Sequence, residues 1–398
     1  MGNPKARLWI NGRKNILPRL QSAVASDRGN LVWMHCASLG EFEQGRPLLE
    51  TIRKSYPSKK VLLTFFSPSG YEVKKNYRGA DHIFYLPMDS EKNAVGFIEA
   101  TMPSLAIFVK YEFWYYFLSE LGRKKISTIL VSGIFRKEQP FFRSYGSLWR
   151  SMLKNFTHFF VQTEESVVLL SSVRIDKNVS LSGDTRFDRV IEIAENFDQF
   201  PEIVKFCAGH RVLVAGSTWP EDEEVLDHYA NTNPAIRFII VPHEIHEDHI
   251  RQIGKLFKHS TRYTRYQQSG FELPIGNVLV IDNIGMLSRL YRYADICFVG
   301  GGFGGDGIHN ILEAAVYGKP VIFGPEHYKF QEALDLIDLS GAISVESALE
   351  LEKTLDQLFS DSETLRKRGE AASSYVYAKA GATKKIMDFI QENRLLTN

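Results

Sequence analysis

The stretch DICFVGGGFGGDGIHNILEAAVYG, residues 295–318, decides the fold class of this chain. An apolar run at 296–299 is followed by six glycines between positions 300 and 307, and then by a mostly apolar segment that ends at Gly318. That order predicts a buried strand, a close turn and a helix over residues 308–318, with Pro320 just beyond it. A strand that leads directly into a helix is the unit of a parallel α/β sheet.

The same order of strand and helix recurs along the whole chain. Further stretches that open with a strand candidate begin at residues 31, 60, 81, 105, 127, 158, 211, 236, 277 and 320. Apolar, β-branched runs followed by helices predict parallel sheets covered on both faces. The series restarts after residue 190, which predicts two doubly wound domains, 1–188 and 189–398, with the last helix packing back on the first domain.

Composition excludes several classes of protein. The chain has 398 residues, of which 44% are hydrophobic, and its 48 basic side chains balance 47 acidic ones, so no bulk charge favours nucleic acid. Its three cysteines stand alone in apolar runs, which argues against zinc and for small buried side chains. No stretch reaches ~18 apolar residues, the length that a membrane-spanning helix needs.

The glycine run predicts a phosphate site. A helix N-terminus presents unpaired N–H groups, and glycines such as Gly301 and Gly302 let an anion reach them. The alternative is a tight turn that needs positive φ. Asn310 and Glu313 are three residues apart and share a helix face, where a carboxylate can accept hydrogen bonds from a ribose diol. A helix cap and a charge that complements the helix dipole are the alternatives for these two residues.

Three more loops in the second half follow predicted strands and add candidates for a nucleotide site. They contribute Gly216, Ser217 and Thr218; Pro242 and His243; and Asn283 and Gly285. In open α/β sheets ligands bind beyond the carboxyl ends of the strands, where these loops lie. The four acids at 221–224 are interpreted as complements of a helix dipole, and the spacing of the histidines near His243 does not favour a metal site.

The first half supplies a candidate catalytic carboxylate. Gly40 and Glu41 come directly after the first predicted strand, at the carboxyl edge of the N-terminal sheet. A glutamate at that edge is a candidate general base. The alternative is an acid that complements the N-terminus of the following helix, and Glu43 suits that role better than Glu41.

An ordered set of short motifs resembles the 3-deoxy-D-manno-octulosonic acid (Kdo) transferase family over nearly the whole chain. The motifs are ASLGE at 37–41, SPSGYE at 67–72, YLPMD at 85–89, YEFW at 111–114, SGDTRFD at 182–188, AGSTWPEDEE at 215–224 and GIHNILEAA at 307–315. The resemblance implies a GT-B fold, in which two Rossmann-like domains face each other across a cleft. It also implies inverting, metal-independent transfer of Kdo from CMP-Kdo to a lipid A precursor, without a cofactor, in lipopolysaccharide inner-core synthesis.

The resemblance also implies roles for individual residues. The expected catalytic residues are Glu41, which matches the family's essential base, and Glu112, which matches a second acid. Lys110 stands where the family has another acid. His309, Asn310 and Glu313 match a donor-binding motif. The donor site is expected to comprise Gly216, Ser217, Thr218, Pro242, His243, Asn283, Gly285, Gly301, Gly302, His309, Asn310, Glu313 and Arg186, the last in place of a family lysine. Residues 242–244 and 282–287 lack an arginine and a glutamate of the family pattern. The acceptor site is expected to comprise Ser38, Gly40, Ser132, Arg136 and Arg143.

The expected partners are CMP-Kdo, a lipid A precursor and a membrane surface, with no nucleic acid. Family members usually carry an N-terminal hydrophobic anchor, which this sequence does not show, so the chain is expected to be peripheral at the cytoplasmic face of the inner membrane. The basic, aromatic segment 135–154 suits that contact; an ordinary surface helix is the alternative. Other function classes remain open: a GT-B enzyme that uses a UDP-sugar, a non-catalytic nucleotide- or lipid-binding protein, or an NAD-dependent enzyme.

Overall fold

The computed structural model describes residues 4–272, 276–305 and 307–397. Contacts divide the chain into two units: unit 1 is Met1–Arg189 with Ala380–Asn398, and unit 2 is Val190–Lys379. Each unit holds one seven-stranded sheet in which every pairing between neighbouring strands is parallel. The expected α/β class, with two Rossmann-like sheets, is therefore confirmed.

Unit 1 contains the first seven strands, in the spatial order β3-β2-β1-β4-β5-β6-β7. They are β1 Leu31–Cys36, β2 Lys60–Phe65, β3 His82–Tyr85, β4 Leu105–Val109, β5 Ser127–Gly133, β6 His158–Val161 and β7 Val179–Leu181. The helices are α1 Pro4–Gly12, α2 Ile16–Val24, α3 Leu39–Ser55, α4 Pro68–Lys74, α5 Glu91–Thr101, α6 Tyr115–Arg123, α7 Ser147–Leu153, α8 Glu164–Ser172, α9 Thr185–Glu195 and, from the end of the chain, α19 Ala382–Glu392, with a 3-10 turn at Pro140–Phe142.

The central strand of unit 1 supplies side chains to both faces of the sheet. Leu31 and Trp33 of β1 belong to one buried hydrophobic cluster, whereas Met34 and Cys36 belong to the other. This alternation follows from the two-residue period of a strand. A strand buried on both faces reads as a continuous apolar run, which is why the sequence pattern locates β1 well.

Unit 2 repeats the arrangement with the order β10-β11-β9-β8-β12-β13-β14. Its strands are β8 Arg211–Thr218, β9 Ile236–Pro242, β10 Ser260–Arg262, β11 Val278–Val280, β12 Ile296–Val299, β13 Val321–Phe323 and β14 Ala342–Ser344. Its helices are α10 Pro201–Cys207, α11 Pro220–Thr232, α12 Glu247–Leu256, α13 Tyr263–Gln268, α14 Leu287–Leu290, α15 Leu312–Ala315, α16 Gln331–Asp338, α17 Ala348–Ser360 and α18 Ser362–Ala378, with a 3-10 turn at Tyr291–Tyr293.

The helix expected over residues 308–318 is wrong in extent, because α15 is a single turn, Leu312–Ala315. The backbone N–H of Ile308 donates to the carbonyl of Glu326, and that of His309 donates to Gly300. Both groups are therefore tied to neighbouring loops. The side chain of Asn310 accepts a hydrogen bond from the N–H of Leu312, so the helix starts only after it.

Each sheet has one point where the strand order reverses, and it positions the candidate site of that unit. In unit 1 the reversal lies between β1 and β4, and in unit 2 it lies between β8 and β12. The loops after two such strands diverge and leave a crevice at the carboxyl edge of the sheet. Glu41 and Glu112 follow β1 and β4, and the Gly216–Thr218 and Gly300–Gly302 segments end β8 and follow β12.

Candidate functional site

Glu41 is the third residue of α3 and closes a capping box at its start. Its Oε2 atom accepts hydrogen bonds from the N–H groups of Ala37 and Ser38, and the Ser38 hydroxyl accepts from the N–H of Glu41. Its Oε1 atom has no hydrogen-bond partner within the described part of the chain. The helix-terminal role that the sequence favoured for Glu43 thus belongs to Glu41, while Glu43 pairs with Lys74 at 3.0 Å.

Glu112 is buried in the loop after β4, and its orientation is fixed. Its Oε2 atom accepts a hydrogen bond from Trp114 Nε1 at 2.6 Å and lies 3.0 Å from His35 Nε2. On the other side of the ring, His35 Nδ1 lies 2.9 Å from the hydroxyl of Thr64, which also accepts from Trp33 Nε1. This chain of hydrogen bonds crosses the sheet and holds the carboxylate of Glu112 in one place.

The carboxylate of Glu112 lies close enough to influence the charge of Glu41. Burial, the largest cause, and the negative charge of Glu112 together raise the pKa of Glu41 to about 7, against the lowering effect of its two N–H donors and of Lys110. A carboxylate with a pKa close to neutrality is suited to general-base chemistry at physiological pH.

Cationic side chains lie around Glu41. Lys110 is half-buried, and its pKa is lowered by burial and by the charge of Arg186, while Asp184 and Glu41 act in the opposite direction. Arg186 donates to Asp184 at 2.8 Å. Arg136 lies over the ring of Tyr111, 5.6 Å from its centroid. The arrangement offers positive charge to an anionic group that approaches Glu41.

The residues expected to bind an acceptor fall into two groups. Gly40 and Arg136 are exposed and Ser38 is half-buried beside Glu41. Ser132 is fully buried, and its hydroxyl lies 3.0 Å from that of Thr185. This hydroxyl therefore holds β5 against α9, and the expected contact of Ser132 with an acceptor stays a prediction.

The segment 135–154 is not one amphipathic helix. Phe135 and Phe141 are buried in the core of unit 1, and Trp149 packs against that core. The guanidinium of Arg150 donates to the carbonyls of Phe141 and Arg143, so it holds the segment in shape. The expectation that all its aromatic side chains can enter a membrane interface is wrong, because most of them fill the core.

Two large apolar side chains of the segment, Tyr145 and Leu148, are nevertheless 65% and 52% exposed. Arg143 and Lys154 are also exposed. A smaller basic and apolar surface remains, which we call the 143–154 surface and which consists of Arg143, Tyr145, Leu148 and Lys154.

In unit 2 the glycines after β12 exclude side chains because other backbone passes close to them. A Cβ atom on Gly300 would clash with the carbonyl of Ser217, and one on Gly302 would lie 2.6 Å from the nitrogen of Gly324. Gly301 has a φ of 93°, which an L side chain rarely adopts. The end of β8 and the loop after β13 therefore pack directly on the glycine run. For these glycines, the close neighbour that was expected to be a ligand is the backbone of the protein itself. Asp306, within this run, lies outside the described residues.

Some backbone N–H groups of this glycine loop, residues 300–307, are already occupied. The carboxylate of Asp222 accepts from Gly301 N–H at 2.8 Å and lies 3.5 Å from Phe303 N. For Gly302, Gly304 and Gly305, the described residues provide no hydrogen-bond acceptor. A phosphate therefore has these three donors available, and the single-turn helix α15 contributes little dipole.

Three aromatic rings from three loops form a stack at the carboxyl edge of β8, β9 and β12. The ring centroids of Trp219 and His243 are 4.8 Å apart, and those of His243 and His309 are 4.3 Å apart. Trp219 Nε1 donates to His309 Nε2 at 3.0 Å. Because an indole N–H only donates, the Nε2 atom of His309 must accept, which places the proton of this ring on Nδ1.

The serine and threonine after Gly216 differ in their availability. The hydroxyl of Thr218 is fully buried and donates to Glu223 at 2.8 Å, so it is engaged within the protein, and the expected role of Thr218 in the donor site stays a prediction. Ser217 is partly exposed at a φ of 54°. Gly216 and Pro242 are buried, and they shape the two loops through their backbones.

Asn310 and Glu313 are brought together, as the sequence predicts. Asn310 Nδ2 donates to Glu313 Oε1 at 3.1 Å, and both side chains are partly exposed. In the loop after β11, the Oδ1 atom of Asn283 is buried without a hydrogen-bond partner among the described residues, and Gly285 has a φ of 99°. A carboxylate and an unpaired amide oxygen are suitable acceptors for sugar and base donors.

The size of the cavities does not by itself identify the site. A cavity of about 130 Å³ lies at the reversal point of unit 2, lined by Trp219, Glu221, Gly301, Gly304 and Gly305. A larger one, about 980 Å³, lies at the edge of the sheet between α12, β10 and α13. The loop geometry and the available N–H groups favour the smaller cavity. The described residues contain no group of three or more metal-ligating side chains.

Sequence reasoning missed several residues that organise the two sites. In unit 1 they are His35 and Tyr111, and in unit 2 they are Trp219, Asp222 and Glu223. The sequence pattern treats the acids at 221–224 as one group, yet 222 and 223 are buried while 221 and 224 are exposed. The helical period of 3.6 residues predicts which acids are buried only once the side of α11 that faces the sheet is known.

Comparison with known families was made on the whole chain. Residues 13–189 match the family described as 3-deoxy-D-manno-octulosonic-acid transferase (kdotransferase). The chain is 27% identical over 372 residues to the 3-deoxy-D-manno-octulosonic acid transferase of Rickettsia prowazekii, covering 91% of this chain and 79% of the relative. It is 28% identical over 379 residues to a bifunctional glycosyltransferase/methyltransferase of Fusobacterium nucleatum, covering 92% of this chain and 55% of that longer protein.

Comparison with solved structures supports the fold. UDP-GlcNAc 2-epimerase from Neisseria meningitidis, solved with UDP-GlcNAc bound, is similar with a TM-score of 0.65 at 17% identity, covering 91% of this chain and 100% of the epimerase. This likeness, together with the two parallel sheets, confirms the expected GT-B type of fold. At such low identity it says nothing about the reaction.

Proposed function

We propose that the chain, whose residues 13–189 match the family of 3-deoxy-D-manno-octulosonic acid (Kdo) transferases, is a glycosyltransferase that transfers Kdo from CMP-Kdo to a lipid A precursor in lipopolysaccharide biosynthesis. The proposal rests mainly on the position, the pKa and the hydrogen bonding of Glu41. It lies at the reversal point of the unit 1 sheet with a pKa raised to about 7 and an Oε1 atom that no described residue engages.

In the proposed reaction, the acceptor hydroxyl attacks the anomeric carbon of Kdo while Glu41 accepts its proton. A bond forms between the acceptor oxygen and the anomeric carbon, and the bond from that carbon to the phosphate oxygen breaks. CMP leaves with the electron pair, and attack from the opposite face inverts the anomeric centre. Lys110 and Arg136 attract the anionic groups of a phosphorylated acceptor toward Glu41.

The loops of unit 2 are proposed to hold the nucleotide. The N–H groups of Gly302, Gly304 and Gly305 and the ring N–H groups of His243 and His309 are hydrogen-bond donors for the phosphate, on which negative charge grows as the bond breaks. The carboxylate of Glu313 accepts from the ribose hydroxyls. The histidine at 243 offers a donor where the family pattern has an arginine.

The affinity for the donor nucleotide tests the role of Glu313. We expect Glu313→Ala to weaken CMP binding about tenfold or more, since the loss of a charged acceptor costs on the order of 1.5–3 kcal/mol. Calorimetry with CMP on both proteins measures it. Glu346→Ala, which removes an exposed acid after β14, is the matched control and should bind CMP like the parent. Equal affinities for all three proteins would make Glu313 structural.

The nature of the nucleotide tests the donor class. The same calorimetry should show that the parent chain binds CMP more tightly than UMP or UDP. Preferential binding of UDP would contradict the proposal and would favour a UDP-sugar enzyme instead.

The pH dependence tests the base. The pKa of Glu41 is raised above its ordinary value, so the carboxylate is ionised above pH 7 and becomes protonated as the pH falls through about 7. A base must be ionised to accept a proton, so kcat/KM should decrease about tenfold per pH unit below that point. Initial rates from pH 5 to 9 measure the profile. A rate that stays constant down to pH 5 would show that the essential base has an ordinary carboxylate pKa.

We further propose that the chain acts as a peripheral protein at the cytoplasmic face of the inner membrane, because a nucleotide sugar is soluble and an acylated acceptor stays in the bilayer. Among the described residues, no helix is long and apolar enough to cross a bilayer. The 143–154 surface combines two exposed cations with two exposed apolar side chains, the combination that suits an anionic interface.

Liposome co-sedimentation tests this surface. Anionic vesicles that carry lipid A precursor should retain the parent chain at low salt, and the double variant Arg143→Glu/Lys154→Glu should be released, because each cation contributes about 1 kcal/mol near an anionic surface. Arg150 is left in place because its hydrogen bonds hold the segment. Lys255→Glu/Arg265→Glu, in the edge cavity of unit 2, has the same change in charge and should stay bound. Equal release of both double variants would show that only net charge matters.

A further inference from the structure

Two neighbouring acids at the start of α11, Asp222 and Glu223, are buried side by side. Both are 0% exposed, whereas Glu221 and Glu224 on either side of them are exposed. A buried carboxylate is costly unless hydrogen bonds or charges compensate it, so such a pair persists only where it has specific partners. A complement to the helix dipole does not require burial, and these two residues therefore need another explanation.

The partners of Asp222 lie in the glycine loop. Its carboxylate accepts from Trp219 N–H at 2.9 Å and Gly301 N–H at 2.8 Å, and it faces Phe303 N at 3.5 Å. Burial raises the pKa of Asp222 and the three N–H groups lower it. The carboxylate thus occupies the kind of backbone N–H nest that binds anions in other proteins, and it joins the loop after β12 to the start of α11.

The partners of Glu223 are Thr218 at the end of β8 and His249 in α12, and His249 in turn bonds the loop after β9. Its Oε1 atom accepts from Thr218 Oγ1 at 2.8 Å, and its Oε2 atom lies 3.0 Å from His249 Nε2. His249 Nδ1 lies 2.8 Å from the carbonyl of Glu244, which can only accept, so Nδ1 carries a proton. A second proton must then lie between His249 Nε2 and Glu223 Oε2. The hydrogen bond forms whether that proton belongs to the ring or to the carboxyl group. The backbone at Glu244 adjoins His243 of the ring stack.

We propose that Asp222 and Glu223 are positioning residues of the nucleotide site, the first holding the glycine loop and the second holding the loop that carries His243. This proposal rests on the proposed function for the identity of the ligand, but not for the role of the two acids. Glycine-rich backbone loses more conformational freedom on ordering than any other, so a loop of this composition needs an internal anchor to be ordered before a ligand binds.

The position of Asp222 determines which N–H groups of the glycine loop can bind the donor phosphate. Since Asp222 engages Gly301 N–H and faces Phe303 N–H, the donor phosphate is bound by Gly302, Gly304 and Gly305 and by the histidine stack, and not by the whole loop. Asp222 takes part in binding by holding those groups in place, without touching the nucleotide.

Hydrogen–deuterium exchange of the whole chain without ligand tests the two roles separately. We expect Asp222→Ala to raise exchange about tenfold in peptides that cover residues 299–311, because it removes the oxygens that accept from Gly301 and Phe303 N–H. Glu223→Ala should instead raise exchange in peptides that cover 242–250. Glu224→Gln, an exposed acid of the same helix turn, should exchange like the parent throughout.

Each outcome of this experiment decides the proposal. Separate loosening of the two loops, with exchange in unit 1 unchanged, supports it. If Asp222→Ala leaves residues 299–311 as protected as in the parent, or if both variants loosen the whole of unit 2 alike, the acids are not loop-specific anchors and the proposal is wrong. If one variant fails to fold, the other variant still provides this comparison for its own loop.

CMP affinity measured on the same variants links the loops to the ligand. Both variants should bind CMP about tenfold more weakly than the parent, and Glu224→Gln should bind equally well. Unchanged affinity in a variant whose loop has loosened would contradict the positioning role. A parent chain that binds no CMP at all would overturn the proposed function, while the exchange experiment would still decide the role of the two acids.

Discussion

Glu41→Gln is expected to lower kcat by a factor on the order of 10²–10⁴ while leaving the fold and CMP affinity unchanged. Glutamine retains an oxygen that accepts from Ala37 and Ser38 N–H, and it is an accepted third residue of a capping box. It cannot accept the proton of the acceptor hydroxyl. The substitution therefore separates the structural role of this side chain from its proposed chemical role.

A matched control lies two residues further along the same helix. Glu43→Gln removes a carboxylate that pairs with Lys74 on the surface of unit 1, and it should change kcat less than twofold, because such surface pairs contribute little. Steady-state rates, CMP calorimetry and thermal unfolding of the three proteins decide the matter. A Glu41→Gln enzyme with near-parental kcat would remove Glu41 from the role of base.

Glu112→Ala is expected to lower the free energy of unfolding by about 3 kcal/mol, because it leaves the buried N–H groups of Trp114 and His35 without an acceptor. The same change removes a negative charge that raises the pKa of Glu41, so any remaining activity should persist to lower pH. Urea unfolding measures the first effect and the pH–rate profile the second.

Two further variants make this result specific. Glu112→Gln keeps an acceptor for Trp114, so its loss of stability should be smaller. Glu99→Ala removes an exposed acid 3.8 Å from Lys124 and should change the free energy of unfolding by less than about 0.5 kcal/mol. If Glu112→Ala unfolds at the same urea concentration as Glu99→Ala, the hydrogen bonds across the sheet do not stabilise unit 1.

The sequence predicts the sheets better than the site. Long apolar runs such as those of β1 and β8 are visible because both faces of a central strand are buried. Strands β7, β10 and β14 lie at the edges of the two sheets and are only partly buried, so they lack the apolar run that reveals the equally short β11 and β13. Their positions are set by pairing with a neighbouring strand, which is information from the tertiary structure.

In the candidate site, too, features that depend on local sequence could be predicted, whereas features that depend on long-range contacts could not. Glu41 and the Asn310–Glu313 pair could be predicted because each depends on local position after a strand or on spacing of three residues. The extent of the helix after His309 could not be predicted, because long-range hydrogen bonds to Gly300 and Glu326 replace its first turn. The burial of Ser132 could not be predicted for a related reason, since it depends on a contact with Thr185, far along the chain.

For the glycine loop, the sequence predicts the close packing of the backbone but does not identify the group that packs against it. Six glycines predict that something passes close to the backbone, and this is confirmed. The sequence does not say whether that neighbour is a ligand or the protein itself. In the structure the backbone around Ser217 and Gly324 takes that place, and the carboxylate of Asp222 engages an N–H group that a phosphate was expected to use.

The transfer reaction itself provides the most direct test of the account. The parent chain is incubated with lipid A precursor and CMP-Kdo generated in the reaction, and the products are measured by mass spectrometry beside parallel reactions with UDP-sugars. The account predicts a product one Kdo residue heavier than the acceptor, or more, formed only with CMP-Kdo and nearly abolished in Glu41→Gln. A product formed from a UDP-sugar, or equal product from parent and Glu41→Gln, would contradict it.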